Sequence, residues 1–556
     1  MKTRTKGILF FTLVAVIMLA SGVTIAIPAD FFGNPSADEP DTQVIVDMGT
    51  GIPLDNYPPD QQDQYCGTGE AISNRYVKEY KIPTACTQPL AITTDPHGTI
   101  WFAQTNSGNL AKFDPLTEKF TEFDNAVWDD YFQALSESVG EKIPARSMIW
   151  GIDYSSDGSI WYTDGYYDAL WKFSISEESY DRLQYPNPED TEGVFPQKLT
   201  VDGSRIIVND LLGSRISFFE FAQVGQEIRT FAIPSPMEDS ITSGFTIDSE
   251  DNVWYTTWIP QETGILVKFD YPSYEIEQAT SNIMQDGGLL LQEFIEFYQF
   301  PTEMSAPNGV TIGPNQKIWI ADTSGNFFFS FDPETEEFTK YVTSIPHKDS
   351  YGNLKLPTYS SNPYWIEHHD GNLVMNEHNA NRIAVFNPES ETMVEYTVPS
   401  RNPNWSDCEG IDYCGLSQVF DFTVDGSKIW FTEWVENNIG VVDTSTTLPF
   451  SIDIDNQNII LERGETAEVL LQFNIPNVLI GEGEVSASLN ISSTASSSDL
   501  IITSEHTVLN SLVGDSQSYL IQITAGEDAS PDTHKVLLGA FDDEIAISKF
   551  ITVTIV

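Results

Sequence analysis

The chain has 556 residues, 40% of them apolar and 12% aromatic. That is material for two or three packed domains and excludes global disorder. It carries 82 Asp and Glu against 27 Lys and Arg, a formal net charge of -55, so nucleic acid and anionic membrane surfaces are excluded as partners by repulsion.

Such a charge reads first as a solvated coat and second as a field that attracts cationic ligands. At the start, Lys2, Arg4 and Lys6 precede an apolar stretch over 8–20 and small residues through Ala26. This pattern predicts a signal peptide and export. The weakly apolar tail runs on to Pro28 and stretches the segment towards membrane-spanning length, so a retained N-terminal membrane anchor over 1–28 is the alternative reading. Residues 29–73, rich in Pro, Asp, Gly and Gln, form a lead-in. The four cysteines, Cys66, Cys86, Cys408 and Cys414, allow three pairings. Proximity favours Cys66–Cys86 and Cys408–Cys414, and the competing zinc reading finds no CxxC or nearby His pair. Two triplets, at Asn404 and Asn490, match the N-glycosylation pattern.

From residue 74 one phrase recurs: a short apolar strand, a polar turn, an aromatic-rich strand ending in a polar residue, then two more strands. The second strands include Ile100-Trp101-Phe102-Ala103-Gln104, Ile160-Trp161-Tyr162-Thr163-Asp164, Ile318-Trp319-Ile320-Ala321-Asp322 and Ile429-Trp430-Phe431-Thr432-Glu433. Seven copies follow one another at roughly 45 to 65 residues, the spacing of propeller blades. Alternation with period two excludes a helical solenoid. The seventh copy lacks its fourth strand, and an orphan over 77–83 matches the outer strand of the sixth copy over 393–399. The orphan is predicted to close the ring. Beyond 447, aromatics give way to Val, Ile, Ser and Thr in strand-like runs. The expected architecture is all-β: a seven-bladed β-propeller over 74–447, then an immunoglobulin-like β-sandwich over 449–556 that serves as a spacer or a cell-surface attachment module.

Loops after the second and fourth strands share one face. The second strands end there on Gln104, Asp164, Asp210, Thr257, Asp322, Glu377 and Glu433, five of them carboxylates. Three insertions, near 124–146 (helical-looking over 130–135), 346–361 and 400–418, open on the same face. Taken singly, each acid reads more readily as a turn cap than as a ligand. As a set they suit Mg²⁺ or Ca²⁺, with Asp322, Glu377 and Glu433 expected to converge on one side of the axis. His378, next to Glu377, is the candidate general base, because imidazole titrates near neutrality. His347 lies in a loop of the same face and is expected to approach the axis. His97, His368 and His369 sit in turns of the opposite face and read as structural.

Two phrases carry a family resemblance: Trp430-Phe431-Thr432-Glu433 followed by Asn438-Ile439, and Asn376-Glu377-His378-Asn379-Ala380-Asn381-Arg382-Ile383. They resemble the virginiamycin B lyase (streptogramin lyase) family, and more distantly the gluconolactonase and NHL-repeat propellers, over about residues 74 to 445. The resemblance implies a seven-bladed propeller that opens a cyclic depsipeptide at its ester by elimination. It also implies Mg²⁺ held by Glu377 and Glu433, with His378 as the base or its orienter. Where a second histidine is then implied, first strands here begin Asn308-Gly309 or Tyr364-Trp365. Two function classes follow: a metal-assisted lyase or lactone hydrolase, and a non-catalytic exported propeller that binds a small molecule or peptide on this face. A shared fold does not decide between them.

Overall fold

A computed structural model describes residues 53–57, 59–128, 148–165, 168–186, 194–221, 228–260, 262–280, 291–347, 350–354, 359–474, 488–504, 508–510 and 517–556. The expected export segment at 1–28, the lead-in up to residue 52 and the helical-looking stretch at 130–135 lie outside the described residues.

Seven blades of four antiparallel strands form the ring, six of them separate sheets and the sixth blade part of a nine-stranded sheet. Their innermost strands are Pro89–Thr94, Ile152–Ser155, Pro196–Asp202, Ile241–Ile247, Pro307–Ile312, Pro363–His369 and Val419–Asp425, for blades one to seven. The second strands end where the repeat placed them, as in Ile100–Gln104, Ile318–Asp322, Asn372–Glu377 and Lys428–Glu433. They are the most buried part of each blade because they have a paired strand on both edges and a neighbouring blade on both faces.

The ring closes as the orphan strand requires. Val77–Lys81 pairs antiparallel with Asn438–Asp443, with Val77 opposite Val442 and Tyr80 opposite Ile439. The closure joins chain segments more than 350 residues apart and gives blade seven its fourth strand.

Neighbouring blades are stitched by side chains at the ends of second strands. Thr163 Oγ1 donates to Gln197 O at 2.9 Å, Thr256 Oγ1 to Pro307 O at 2.9 Å, Asn376 Nδ2 to Val419 O at 2.8 Å and Thr432 Oγ1 to Leu90 O at 2.7 Å. Each bond runs from one blade to the innermost strand of the next. It ties a strand-start carbonyl of one blade to its neighbour.

The C-terminal domain is a two-sheet sandwich, one sheet holding Ser451–Ile454, Thr466–Asn474, Gln517–Ala525 and Leu500–Ser504. Its other sheet is continuous with blade six. Ile545–Ile555 pairs with Thr392–Thr397, the blade's outer strand, with Thr392 opposite Lys549 and Tyr396 opposite Ile545. Phe550 enters the seam between blades five and six, with its ring centre 5.2 Å from Tyr341 and 5.4 Å from Phe386. The sandwich thus covers the outer edge of blade six.

Candidate functional site

The strand-end acids do not gather at the axis. Asp322 is fully buried and accepts the backbone N–H groups of Ala306 and Ser324, both at 3.0 Å. Asp164 accepts the indole N–H of Trp128 at 3.1 Å and of Trp171 at 3.2 Å. Asp210 takes the Arg215 guanidinium at 2.8 Å. Glu377 lies 3.8 Å from Arg382, opposite it in the ladder, and beside Glu395 of the outer strand. Glu433 accepts from Asn438 Nδ2 at 3.2 Å and meets Glu79 and Glu436. Each acid is thus engaged by partners of its own blade or of the segment leading into it.

That geometry corrects the expected convergence of Asp322, Glu377 and Glu433. Each occupies its own blade, five, six and seven in turn, and Arg382 already supplies the positive charge beside Glu377. Among the described residues no group of three or more His, Cys, Asp or Glu is arranged to hold a metal ion. The three acids do not fit a shared Mg²⁺ or Ca²⁺.

A seam motif repeats in three consecutive blades. In blade six the outer-strand Glu395 faces Glu377 and accepts Ser344 N at 2.9 Å. In blade seven the outer-strand Glu79 faces Glu433 and accepts Ser400 N at 2.9 Å. In blade one Gln104 donates its amide to Glu122, which accepts the Thr84 hydroxyl at 2.9 Å. Burial, then the facing carboxylate, pushes Glu377 and Glu433 well above the usual carboxylate range. Each pair is satisfied when the strand-end acid keeps its proton and donates it, as the Gln104 amide does in blade one.

His378 does face the axis, but among aromatic rings. Its ring stacks on Phe420 at 5.0 Å and meets Tyr364 edge-on at 5.7 Å. It is 3% exposed, and burial lowers its pKa to about 3 despite a backbone hydrogen bond with Asn362. Tyr364 stacks on Trp150 at 5.6 Å, and Trp150 meets Phe420 at 5.4 Å. Rings from blades two, six and seven thus pack against one another around His378. Just below, Gln197 Nε2 from blade three donates to Tyr364 Oη at 3.2 Å. The next residue, Lys198, spans the axis to Asp421 at 3.3 Å and lies 4.0 Å from Glu367. Burial raises Glu367 to about 7, against the pull of Lys198.

His347 does not approach the axis. Its ring lies 6.1 Å from Phe541 in the C-terminal sandwich. His369 pairs with Asp370 at 3.4 Å in its turn, and the His97 N–H is fixed by Asp95 at 2.8 Å. The pattern of second strands therefore located blade seams, whereas the axial residues come from first strands. Trp150, Tyr364 and Phe420 are the visible trace of those, bulky aromatics at the strand starts of blades two, six and seven.

The lead-in roofs this face. Residues Pro53–Asn56 and the helix Pro59–Tyr65 lie across blades one, six and seven. Tyr65 packs on Trp405 at 5.8 Å and Trp434 at 6.5 Å, and Trp434 lies 5.6 Å from Phe420. Cys66 is disulfide-bonded to Cys86, just before blade one, and Cys408 to Cys414 in the loop beside Trp405.

No family model and no curated protein matches the chain. Among solved structures it is similar to virginiamycin B lyase from Staphylococcus aureus, at 19% identity and a TM-score of 0.46, over 66% of this chain and 98% of that one. A streptogramin B lyase structure matches at 19% identity and a TM-score of 0.46, over 66% and 96%. The calcium-binding protein regucalcin from Agrobacterium tumefaciens matches at 10% identity and a TM-score of 0.34, over 53% and 89%.

Proposed function

We propose that this chain is an exported binding propeller with no ester-opening chemistry of its own, carrying its ligand site on the roofed face and its C-terminal sandwich as a rigid mount toward a cell surface. The observation that carries this reading is the setting of His378. A general base for elimination needs an imidazole that accepts a proton near neutrality and faces both substrate and counter-charge. His378 instead sits between Phe420 and Tyr364, with its proton affinity reduced by burial. The acids that would hold a metal are engaged in three separate seams. Two disulfides support passage through an oxidising compartment.

The competing reading, a metal-assisted lyase, draws on one observation: Glu377 and Glu433 keep carboxylate oxygens with no donor among the described residues. One experiment separates the two. The purified protein is incubated with a streptogramin-type cyclic depsipeptide and Mg²⁺, and the products are analysed by mass spectrometry. The expected result is intact macrocycle, with equal and weak Mg²⁺ heats for wild type and for Glu377→Gln/Glu433→Gln in calorimetry. A ring-opened product that the double variant fails to make would establish the lyase.

A further inference from the structure

The strap formed by residues 53–57 and 59–66 is held in an unusual way. Its main-chain carbonyls, more than its side chains, are what the propeller recognises. Asn402 Nδ2 donates to Asp63 O at 3.0 Å and to Gln64 O at 3.2 Å. Trp405 Nε1 donates to Gln64 O at 2.6 Å. Asn404 Nδ2 reaches Asp63 O at 3.2 Å, and Asn106 Nδ2 reaches Pro53 O at 3.1 Å. Four side chains from the loops of blades one and six thus read a backbone, which any peptide could present.

The side chains add a hydrogen bond from Tyr57 Oη to Gln88 Oε1 and an aromatic slot. Tyr65 is buried edge-on against Trp405 and Trp434, with Tyr57 stacked behind it at 4.9 Å. Aromatic rings in edge-to-face contact attract beyond their burial, so such a slot favours an aromatic residue. Beneath it the rings continue through Phe420 to His378 at the axis. The covalent anchor follows directly, since Cys66, the residue after Tyr65, is bonded to Cys86.

We propose that this groove is a peptide-binding site and that the strap is its built-in occupant, held in place by the Cys66–Cys86 disulfide. The ligand class is an extracellular peptide segment that places an aromatic side chain between Trp405 and Trp434 and its carbonyls on Asn402, Asn106 and the Trp405 indole. The proposal rests on the binding-propeller reading and names its partner. Opening the site requires that the strap leave. The disulfide and the Tyr65 contacts oppose that, and the chain after Cys66 stays pinned by Thr68, whose N–H and hydroxyl both donate to Glu436 at 3.1 Å.

The test keeps the full chain. Cys66→Ser and Cys86→Ser release the latch, and Tyr65→Ala empties the slot. A fluorescein-labelled peptide of residues 53–66, with Cys66→Ser and both Tyr57 and Tyr65 intact, is titrated into wild type and the triple variant, and anisotropy is read. The expected result is saturable binding to the triple variant and at least tenfold weaker binding to wild type. Adding Trp405→Ala to the triple variant should cost at least another tenfold, and Trp405→Phe, which keeps a ring but loses the N–H, an intermediate amount. No saturable binding to a triple variant that still unfolds cooperatively would overturn the proposal, as would equal binding to wild type, which would place the peptide elsewhere. Neither outcome bears on ester opening, which is read on the wild type with a different substrate.

Discussion

Glu79 and Glu433 face each other inside blade seven, one on the strand that closes the ring and the other at the end of the second strand, with Glu436 close by. Blade six answers its own pair, Glu377 and Glu395, with Arg382. Blade seven has Asn438 at the matching ladder position, and its nearest ammonium, Lys81, donates to the Glu436 carbonyl at 2.7 Å. The closing seam therefore holds more carboxyl charge than cation, and a proton on Glu433 makes up the difference.

The first prediction is a pH dependence of stability. Burial and then Glu79 raise Glu433 well above its ordinary 4.5, so the folded state binds that proton more tightly than the unfolded state. Its contribution is complete below pH 4.5 and is lost as pH rises toward the folded value. Tm is expected to fall between pH 5 and pH 9. The overall charge of -55 pushes in the same direction, so the informative quantity is the difference between variants. Glu433→Gln should flatten the profile by reproducing the amide-to-carboxylate pair of Gln104 and Glu122. The exposed Glu389→Gln should leave it unchanged. Parallel profiles for all three proteins would show that Glu433 is ionised in the fold.

The second prediction concerns Asn437, which sits at φ 57° in the turn after the seventh second strand. Its Oδ1 accepts Thr87 N at 2.8 Å and Thr87 Oγ1 at 2.7 Å, and its Nδ2 donates to Thr84 O at 2.9 Å. One side chain thereby ties blade seven to the segment entering blade one. Asn437→Ala loses these bonds and strains the backbone, a cost of about 2 to 4 kcal/mol in chemical denaturation. Asn437→Gly keeps the backbone conformation and loses only the bonds, so it should fall between wild type and alanine. Equal losses for both would assign the whole effect to hydrogen bonding.

The third prediction is covalent. Peptide mapping without reduction should recover Cys66 linked to Cys86 and Cys408 linked to Cys414, with free thiol at none of the four. Recovery of Cys408 and Cys414 as thiols in protein isolated from its native compartment would contradict the export reading.

The ring was legible because a propeller repeats its burial. Trp101, Trp161, Trp254, Trp319 and Trp430 fill the same place in five second strands, and the 77–83 orphan could only belong to the unfinished seventh blade. The site was not legible for a related reason. A residue that ends a second strand can point to the channel or to the seam, and the choice depends on blade twist and on partners such as Arg382 and Glu395 that lie elsewhere in sequence. His378 carried the right chemistry and reached the axis, but Trp150, Tyr364 and Phe420, which set its environment, come from three different blades. The strap was hidden because its contacts are with backbone carbonyls, and these leave no trace in residue identity.

The last prediction follows from the shared sheet. A sandwich joined through a linker would unfold independently of the propeller, whereas here Ile545–Ile555 is the fifth strand of blade six. Phe550 is fully buried among Phe328, Tyr341 and Phe386, residues of blades five and six. Lys535 of the sandwich pairs with Glu391 in the turn before the blade's outer strand and lies 5.4 Å from the Tyr341 ring. Phe550→Ala leaves a cavity that belongs to both domains, at a cost of about 3 to 5 kcal/mol. Calorimetry should therefore show one main transition moving to lower temperature as a whole. Two resolved transitions, with only the smaller shifted by Phe550→Ala, would mean that the strand pairing does not couple the domains and that the sandwich is a separate module.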